Sequence, residues 1–313
     1  MVLALGVSAG ASGARAILAH SDRVHRRPID RCDLSAPLGG DVGNSVRAAI
    51  DTLTANARHR GDSVSATAVT YRTELHANAI RDALGTDTGT ESVRLVREAD
   101  AQLRYLRFAG LLPKTGLVIL YDLGSSGLTL TLADSASGVA VRTRRSTLLG
   151  GDEVDRLLHR KLSLGGVESD VAVSRGYKEQ LTTRRVVTAG GACPRDRITL
   201  TRNDLAELER AGVQHSASFI RQLIEETGTA PRALVLLGGG AHSPSAADWL
   251  ERSLGIPSIT DAQPELVAAR GAVLLAAERR HVEAATASST EAETGRRRKL
   301  LTTAPGRGRR PGR

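Results

Sequence analysis

Aromatic residues make up only 2% of this 313-residue sequence, with one Trp, two Phe and four Tyr. So few rings leave little for stacking on single-stranded nucleic acid. They also require an aliphatic core, drawn from the 41% hydrophobic content. Cysteine is nearly absent: Cys32 and Cys193 stand far apart without metal-ligand spacing, so no disulfide framework is expected. None of the eight His forms a metal-spaced cluster, and there is neither a Walker Gly-Lys-Ser/Thr motif nor a Gly-x-Ser-x-Gly elbow. Apolar runs such as 117–121 and 272–277 are too short to span a bilayer. The start, Met-Val-Leu-Ala-Leu-Gly, has no charged leader region, and Gly6 to Gly13 interrupts any apolar one. The expected location is cytoplasmic.

Positive charge is abundant but localised. The net charge is +9, and eight of those charges lie in residues 296–313, where Arg296, Arg297, Arg298, Lys299, Arg307, Arg309, Arg310 and Arg313 occur without an acid. Residues 1–295 therefore carry only +1. From about residue 281 the composition turns Ala/Ser/Thr/Glu-rich and then Arg/Gly/Pro-rich, which reads as a disordered basic tail over 281–313. Such a tail offers weak contact with nucleic acid, an acidic protein or an anionic surface. A solvated extension without a dedicated partner fits it equally.

What the sequence does have is α/β alternation and glycine-rich turns. Strands are expected at 2–7, 14–20, 66–70, 92–96, 117–123, 128–133, 139–144, 197–199, 233–237 and 256–259. Helices are expected at 45–58, 73–84, 99–111, 152–163, 170–183 and 203–226, then from the N-cap and first-turn pair Ser243-Pro244 through Leu254, and at 264–279. Residues 28–43, rich in Pro, Gly and Asp, read as a loop or short edge. Gly271 lies inside the last helix, where glycine costs about 1 kcal/mol relative to alanine; close packing of that helix against a sheet is the expected reason.

A repeat organises these elements. Sliding the chain by 114 residues lays Ser8-Ala-Gly-Ala-Ser-Gly13 on Asp122-Leu-Gly-Ser-Ser-Gly127, with Leu3 on Leu117 and Leu18-Ala19 on Leu132-Ala133. Both copies have the form strand, small-residue turn, strand. Such a turn exposes consecutive backbone N–H groups, a nest suited to phosphate oxygens. Gly10, Ala11 and Ser12 in the first turn, and Gly124, Ser125, Ser126 and Gly127 in the second, are thus candidate phosphate binders. A third glycine turn, Gly238-Gly239-Gly240, follows a buried strand and precedes a helix, and so allows close approach to a base or ribose.

The order of these segments resembles the ATPase domain of the seventy-kilodalton heat-shock proteins (DnaK type), within the actin/sugar-kinase superfamily. Residues 5–18 resemble the first phosphate loop and Tyr121–Leu132 the second. Leu149-Gly150-Gly151-Asp152-Glu153-Val154-Asp155 resembles that family's Leu-Gly-Gly-Glu-Asp-Phe-Asp. Leu236 through Pro244 resembles its adenosine loop, and Gln263 through Gly271 its last helix start. The resemblance implies an actin-like α/β fold: two lobes of mixed sheet with flanking helices on a ribonuclease H-like duplicated core. Lobe I is expected over residues 1–112 and lobe II over 113–280. ATP or ADP with Mg²⁺ is implied between them, with Gly151, Lys178, Thr182 and His242 among the nucleotide contacts.

The resemblance makes Asp122 a ligand of hydrated Mg²⁺ and Glu98 the group that orients a water. A turn-capping Asp and a dipole-favoured Glu at a helix start explain the same residues. The departures are plain: Ser8 stands where the family has its first-loop Asp, Gly127 replaces a Thr, Arg175 and Glu179 alter the adenosine helix, and the segment bearing the family's catalytic Lys is mostly missing. No peptide-binding domain or helical lid is expected beyond about residue 279. The implied function is a nucleotide-binding protein whose hydrolysis is weak or lost. The alternatives are a pseudo-ATPase scaffold acting on a protein partner the sequence does not identify, and a small-molecule kinase, for which no acceptor-activating Asp is evident.

Overall fold

The computed structural model describes residues 2–36, 41–85, 93–190 and 197–278. The basic tail expected over 281–313 lies outside the described residues, as does Cys193. The chain opens with an antiparallel meander of β1 (Leu3–Gly10), β2 (Gly13–His20) and β3 (Asp30–Ser35), so the Pro/Gly/Asp-rich stretch supplies an edge strand. Helix α1 (Val42–His59) begins where the Asp41 side chain accepts the Gly43 N–H at 2.8 Å. It leads to β4 (Ala66–Tyr71), which pairs parallel with β1. Thr73 caps α2 (Glu74–Leu84); β5 (Arg94–Arg97) and α3 (Glu98–Phe108) complete the first half.

The second half repeats this plan. A meander of β6 (Leu117–Leu123), β7 (Leu128–Asp134) and β8 (Val139–Ser146) comes first. An insertion follows: α4 (Gly151–Leu164), α5 (Val171–Thr183) and a hairpin of β9 (Val186–Gly190) with β10 (Arg197–Thr201). Strand β9, short and half exposed, carries too weak an alternation to be read from sequence. Next are α6 (Arg202–Thr227), β11 (Ala233–Leu237), α7 (Pro244–Leu254) and β12 (Ser258–Thr260). A 3₁₀ turn at Pro264–Leu266 runs into α8, residues 267–278.

Strand order shows the duplication directly. The first sheet runs β3-β2-β1-β4-β5 and the second β8-β7-β6-β11-β12. Each is an antiparallel meander joined to two parallel strands through helical crossovers, and α1, α2 and α3 correspond to α6, α7 and α8.

Period-two alternation sends side chains to opposite faces of each sheet. Leu5, Val7, Ala16 and Leu18 pack outward against Val46, Ile50 and Leu53 of α1 and Ile80 of α2. Ile119, Tyr121, Leu130 and Leu132 do likewise against Val213, Ile220 and Leu223 of α6 and Leu250 of α7. The inward set, including Ala4, Ile17, Val118, Leu120 and Val235, forms a shared core with Leu103, Tyr105 and Leu106 of α3 and Val267, Val273 and Leu274 of α8. So α3 and α8 lie between the sheets and tie the halves together. Gly271 is forced by helix-on-helix contact: a Cβ there would come 1.8 Å from the Ala101 carbonyl oxygen of α3. It is Gly6 of β1 that lets α8 close on a sheet, its missing Cβ making room for the Ala269 carbonyl.

Candidate functional site

Both hairpin turns open on one cleft of about 580 Å³ between the sheets. The cleft also takes in the carboxyl ends of the parallel strands β4 and β11, the position where open α/β sheets place ligands. In the first turn, Gly10 pairs with Gly13, leaving Ala11 and Ser12 at the tip. In the second, the Gly124 N–H donates to the Gly127 carbonyl at 3.0 Å, leaving Ser125 and Ser126. The four tip N–H groups donate to no backbone partner among the described residues. Each turn closes on a glycine with positive φ, +125° at Gly13 and +149° at Gly127. A Cβ at these positions would strike the third strand of its meander, at the Leu34 and Ser146 carbonyls respectively.

Most of the expected site residues converge here. Gly10, Ala11, Ser12, Glu98, Asp122, Gly124, Ser125, Gly151, Lys178, Thr182, Gly238, Gly239, Gly240 and His242 all line the cleft. Ser126 and Gly127 stand behind it, Ser126 accepting a hydrogen bond from Arg145 Nη2 at 2.7 Å. Gly238, with φ +76°, passes so close to β6 that a Cβ would lie 2.6 Å from Asp122 Oδ1. At Gly239 a Cβ would meet nothing within 4 Å.

Several of these side chains already have partners. Lys178 Nζ pairs with Asp155 Oδ1 at 2.6 Å and donates to the Gly151 carbonyl at 3.0 Å. Arg175 reaches the fully buried Asp155 at 2.9 Å and Asp152 at 2.8 Å. The Thr182 hydroxyl donates to the Glu179 carbonyl in its own helix, and His242 Nε2 lies 3.0 Å from Glu265 Oε2. Ser243, read from sequence as the cap of α7, makes no side-chain cap bond. Its hydroxyl donates to Glu209 Oε2 at 2.7 Å, and burial pushes the Glu209 carboxyl up.

At the floor of the cleft is a group of charges around Arg72. This residue follows the carboxyl end of β4, and its guanidinium grips Glu98 two-pronged, Nε to Oε2 and Nη2 to Oε1 at 3.1 Å. Nη2 also lies 3.5 Å from Asp122 Oδ2, which accepts a hydrogen bond from Gln102 Nε2 at 2.7 Å. Glu98 and Gln102 share one face of α3 at i and i+4, and Asp122 projects inward from β6 in step with Val118 and Leu120. Glu98 above all, with Asp122, holds the Arg72 guanidinium firmly protonated against its burial. Arg145 is the second cation of the group; burial and then Arg72 lower its pKa, and it in turn acts on Glu98.

Arg72, Gln102, Arg145 and Glu209 were missed from sequence. The duplication holds the only signal for Arg72. Ser8 pairs with Thr70 across β1 and β4, and Asp122 with Leu237 across β6 and β11. Two residues further along each parallel strand, Arg72 is the counterpart of Gly239.

The fold family implies Mg²⁺ with the nucleotide, and the donor set present does not fit a resident ion. Mg²⁺ needs one or two carboxylates free to face it or its waters. Here both Glu98 oxygens bond Arg72, Asp122 Oδ2 is held by Gln102 beside Arg72, and the residue matching the first-loop acid is Ser8. Among the described residues no group of three His, Cys, Asp or Glu side chains converges to hold a metal.

No family model matches the chain. The chaperone protein HscA of Salmonella newport (strain SL254) is 25% identical over 254 residues, covering 74% of this chain and 41% of that protein. This chain spans between 28% and 41% of the length of the curated relatives it matches. Among solved structures, the ethanolamine utilization protein EutJ of Carboxydothermus hydrogenoformans superposes with a TM-score of 0.61 at 15% identity, over 88% of this chain and 90% of that one. The activator of the 2-hydroxyisocaproyl-CoA dehydratase of Clostridium difficile gives 0.54 at 14% identity, over 93% and 98%. Among the described residues no helix is long and apolar enough to cross a membrane. In sequence, then, the chain is similar to the HscA chaperones of the seventy-kilodalton heat-shock type, and it has the two-lobed α/β fold of the actin-like ATPases.

Proposed function

We propose that this chain binds ADP or ATP in the cleft, with the polyphosphate between the two hairpin turns and the purine nucleoside against Gly238–Gly240 and α5. The observation that carries the reading is the pair of equivalent turns whose tip residues Ala11, Ser12 and Ser125 line a single cavity, with N–H groups that donate to no backbone partner among the described residues. Two such nests offer donors to a polyphosphate from both sides. In support, the structurally similar dehydratase activator was solved with ADPNP bound. Hydrolysis is slow or lost, because Glu98 is clamped by Arg72 rather than free to orient a water, and Ser8 brings no charge to the first turn. Output then comes through nucleotide-dependent contact with a protein partner.

The test is the melting temperature of the purified protein titrated with ADP. A rise that saturates with nucleotide is expected. Gly239→Asp should leave the melting temperature without ADP unchanged, since a Cβ there is unobstructed, and should abolish the rise by placing a carboxylate in the cleft. No rise in the natural protein at millimolar ADP would leave the same fold acting as a scaffold through protein contacts alone. A rise retained in Gly239→Asp would remove the nucleoside from this loop.

A further inference from the structure

We infer that Arg72 takes the place of the divalent cation, bridging the carboxylates of Asp122 and Glu98 to the nucleotide phosphates, so that nucleotide binding here does not need Mg²⁺. The inference rests on the nucleotide reading above. A bound Mg²⁺ in such a cleft has two tasks: it neutralises carboxylates on the protein side and polarises phosphate oxygens on the other. Arg72 is built for both. On one edge its Nε and Nη2 engage Glu98, and Nη2 also faces Asp122. On the other, Nη1 donates no hydrogen bond among the described residues and is the atom nearest the Cβ position of Gly124, at 3.3 Å. The unused N–H groups of this guanidinium thus stand beside the second phosphate turn, and a planar fork suits phosphate oxygens.

Charge balance leads to the same conclusion. Against the Asp122 and Glu98 carboxyls stand Arg72, in contact with both, and Arg145, and burial pushes the Glu98 carboxyl up despite Arg72. Such a cluster has no excess negative charge with which to recruit a divalent ion. The fixed cation is held in place by burial, with only 17% of the Arg72 side chain exposed. Ser8 fits the same picture, since a second loop carboxylate would be needed only where an ion had to be held.

The test is calorimetric titration of ADP into the full chain in excess EDTA and, separately, in millimolar Mg²⁺. Equal affinity within about threefold is expected, whereas a loss of about tenfold or more in EDTA would overturn the inference and leave the nucleotide reading intact. Absence of binding in both buffers would remove both readings together. Mg²⁺ alone, titrated without nucleotide, should not raise the melting temperature; a saturable rise would count against Arg72 as the resident cation. In Arg72→Ala the carboxylates lose their partner, and ADP binding should weaken at least about tenfold in EDTA, with partial recovery in Mg²⁺. Unchanged, Mg²⁺-independent affinity in that variant would also overturn the inference. Should the variant not fold, the two arms on the natural protein still decide the matter.

Discussion

Gly271 of α8 presses against the carbonyl of Ala101 in α3, leaving 1.8 Å for a methyl group. This contact joins the two helices that follow the last strand of each half, so it sets how the sheets face each other. Gly271→Ala should therefore destabilise, although alanine gains about 1 kcal/mol in helix propensity. Overpacking costs of about 1–3 kcal/mol oppose that gain, and backbone that cannot yield puts this site at the upper end. Urea denaturation of the two proteins measures the difference; a stabilised variant would mean that the helices are not held at this separation.

The start of α6 gives a pH-dependent prediction. Thr201 and Asp204 form a capping box, and Lys161 pairs with Asp204. Burial opposes the Asp204 carboxylate, but Lys161 and the Thr201 hydroxyl and N–H outweigh it and hold its pKa down to about 2. A depressed carboxylate stabilises the fold above its ordinary pKa of 3.8 and loses that contribution as pH falls through about 2. Thr201→Ala should cost about 1 kcal/mol near neutrality. Melting curves should show the difference between the variant and the natural protein narrowing as pH drops from about 4 toward 2.

At Ser243 and Glu209 the carboxyl is shifted the opposite way, yet the variant's deficit again grows with pH. The Ser243 hydroxyl is the hydrogen-bond donor to a buried carboxyl already pushed up by burial. Ser243→Ala should cost about 1–3 kcal/mol, the penalty of an unsatisfied buried polar group. Loss of the donor raises the Glu209 pKa further, so the folded state holds the proton to higher pH. The deficit should be larger at about pH 8 than at about pH 5 in melting experiments. A deficit independent of pH would place Glu209 in water rather than in the core.

Turnover is a separate test of Asp122. Removing a catalytic electrostatic group commonly costs about two to three orders of magnitude in rate. Because Arg72 and Gln102 already occupy Asp122 Oδ2, phosphate release by Asp122→Asn should match that of the natural protein, both near background. A clear drop in the variant would show that the natural protein hydrolyses ATP and that Asp122 takes part.

The sequence alone determined the plan of this protein. The 114-residue repeat, the aliphatic strands at Leu117–Leu123 and Ala233–Leu237 and the glycine turns follow from local chemistry, since small residues and continuous apolar runs are written position by position. What it did not contain is who meets whom. Arg72 reads as an ordinary charge after a strand, and Glu98 as a favourable start to a helix. Only the folding of β4 beside β1, and the packing of α3 between two sheets, brings them onto Asp122. Ser243 likewise reads as a helix cap, and tertiary packing turns its hydroxyl to Glu209 instead. Backbone preferences act over a few residues, whereas the charge balance of a cleft depends on side chains brought together from distant segments. That balance, set by Arg72 and Arg145 against Glu98 and Asp122, is decided by tertiary structure alone.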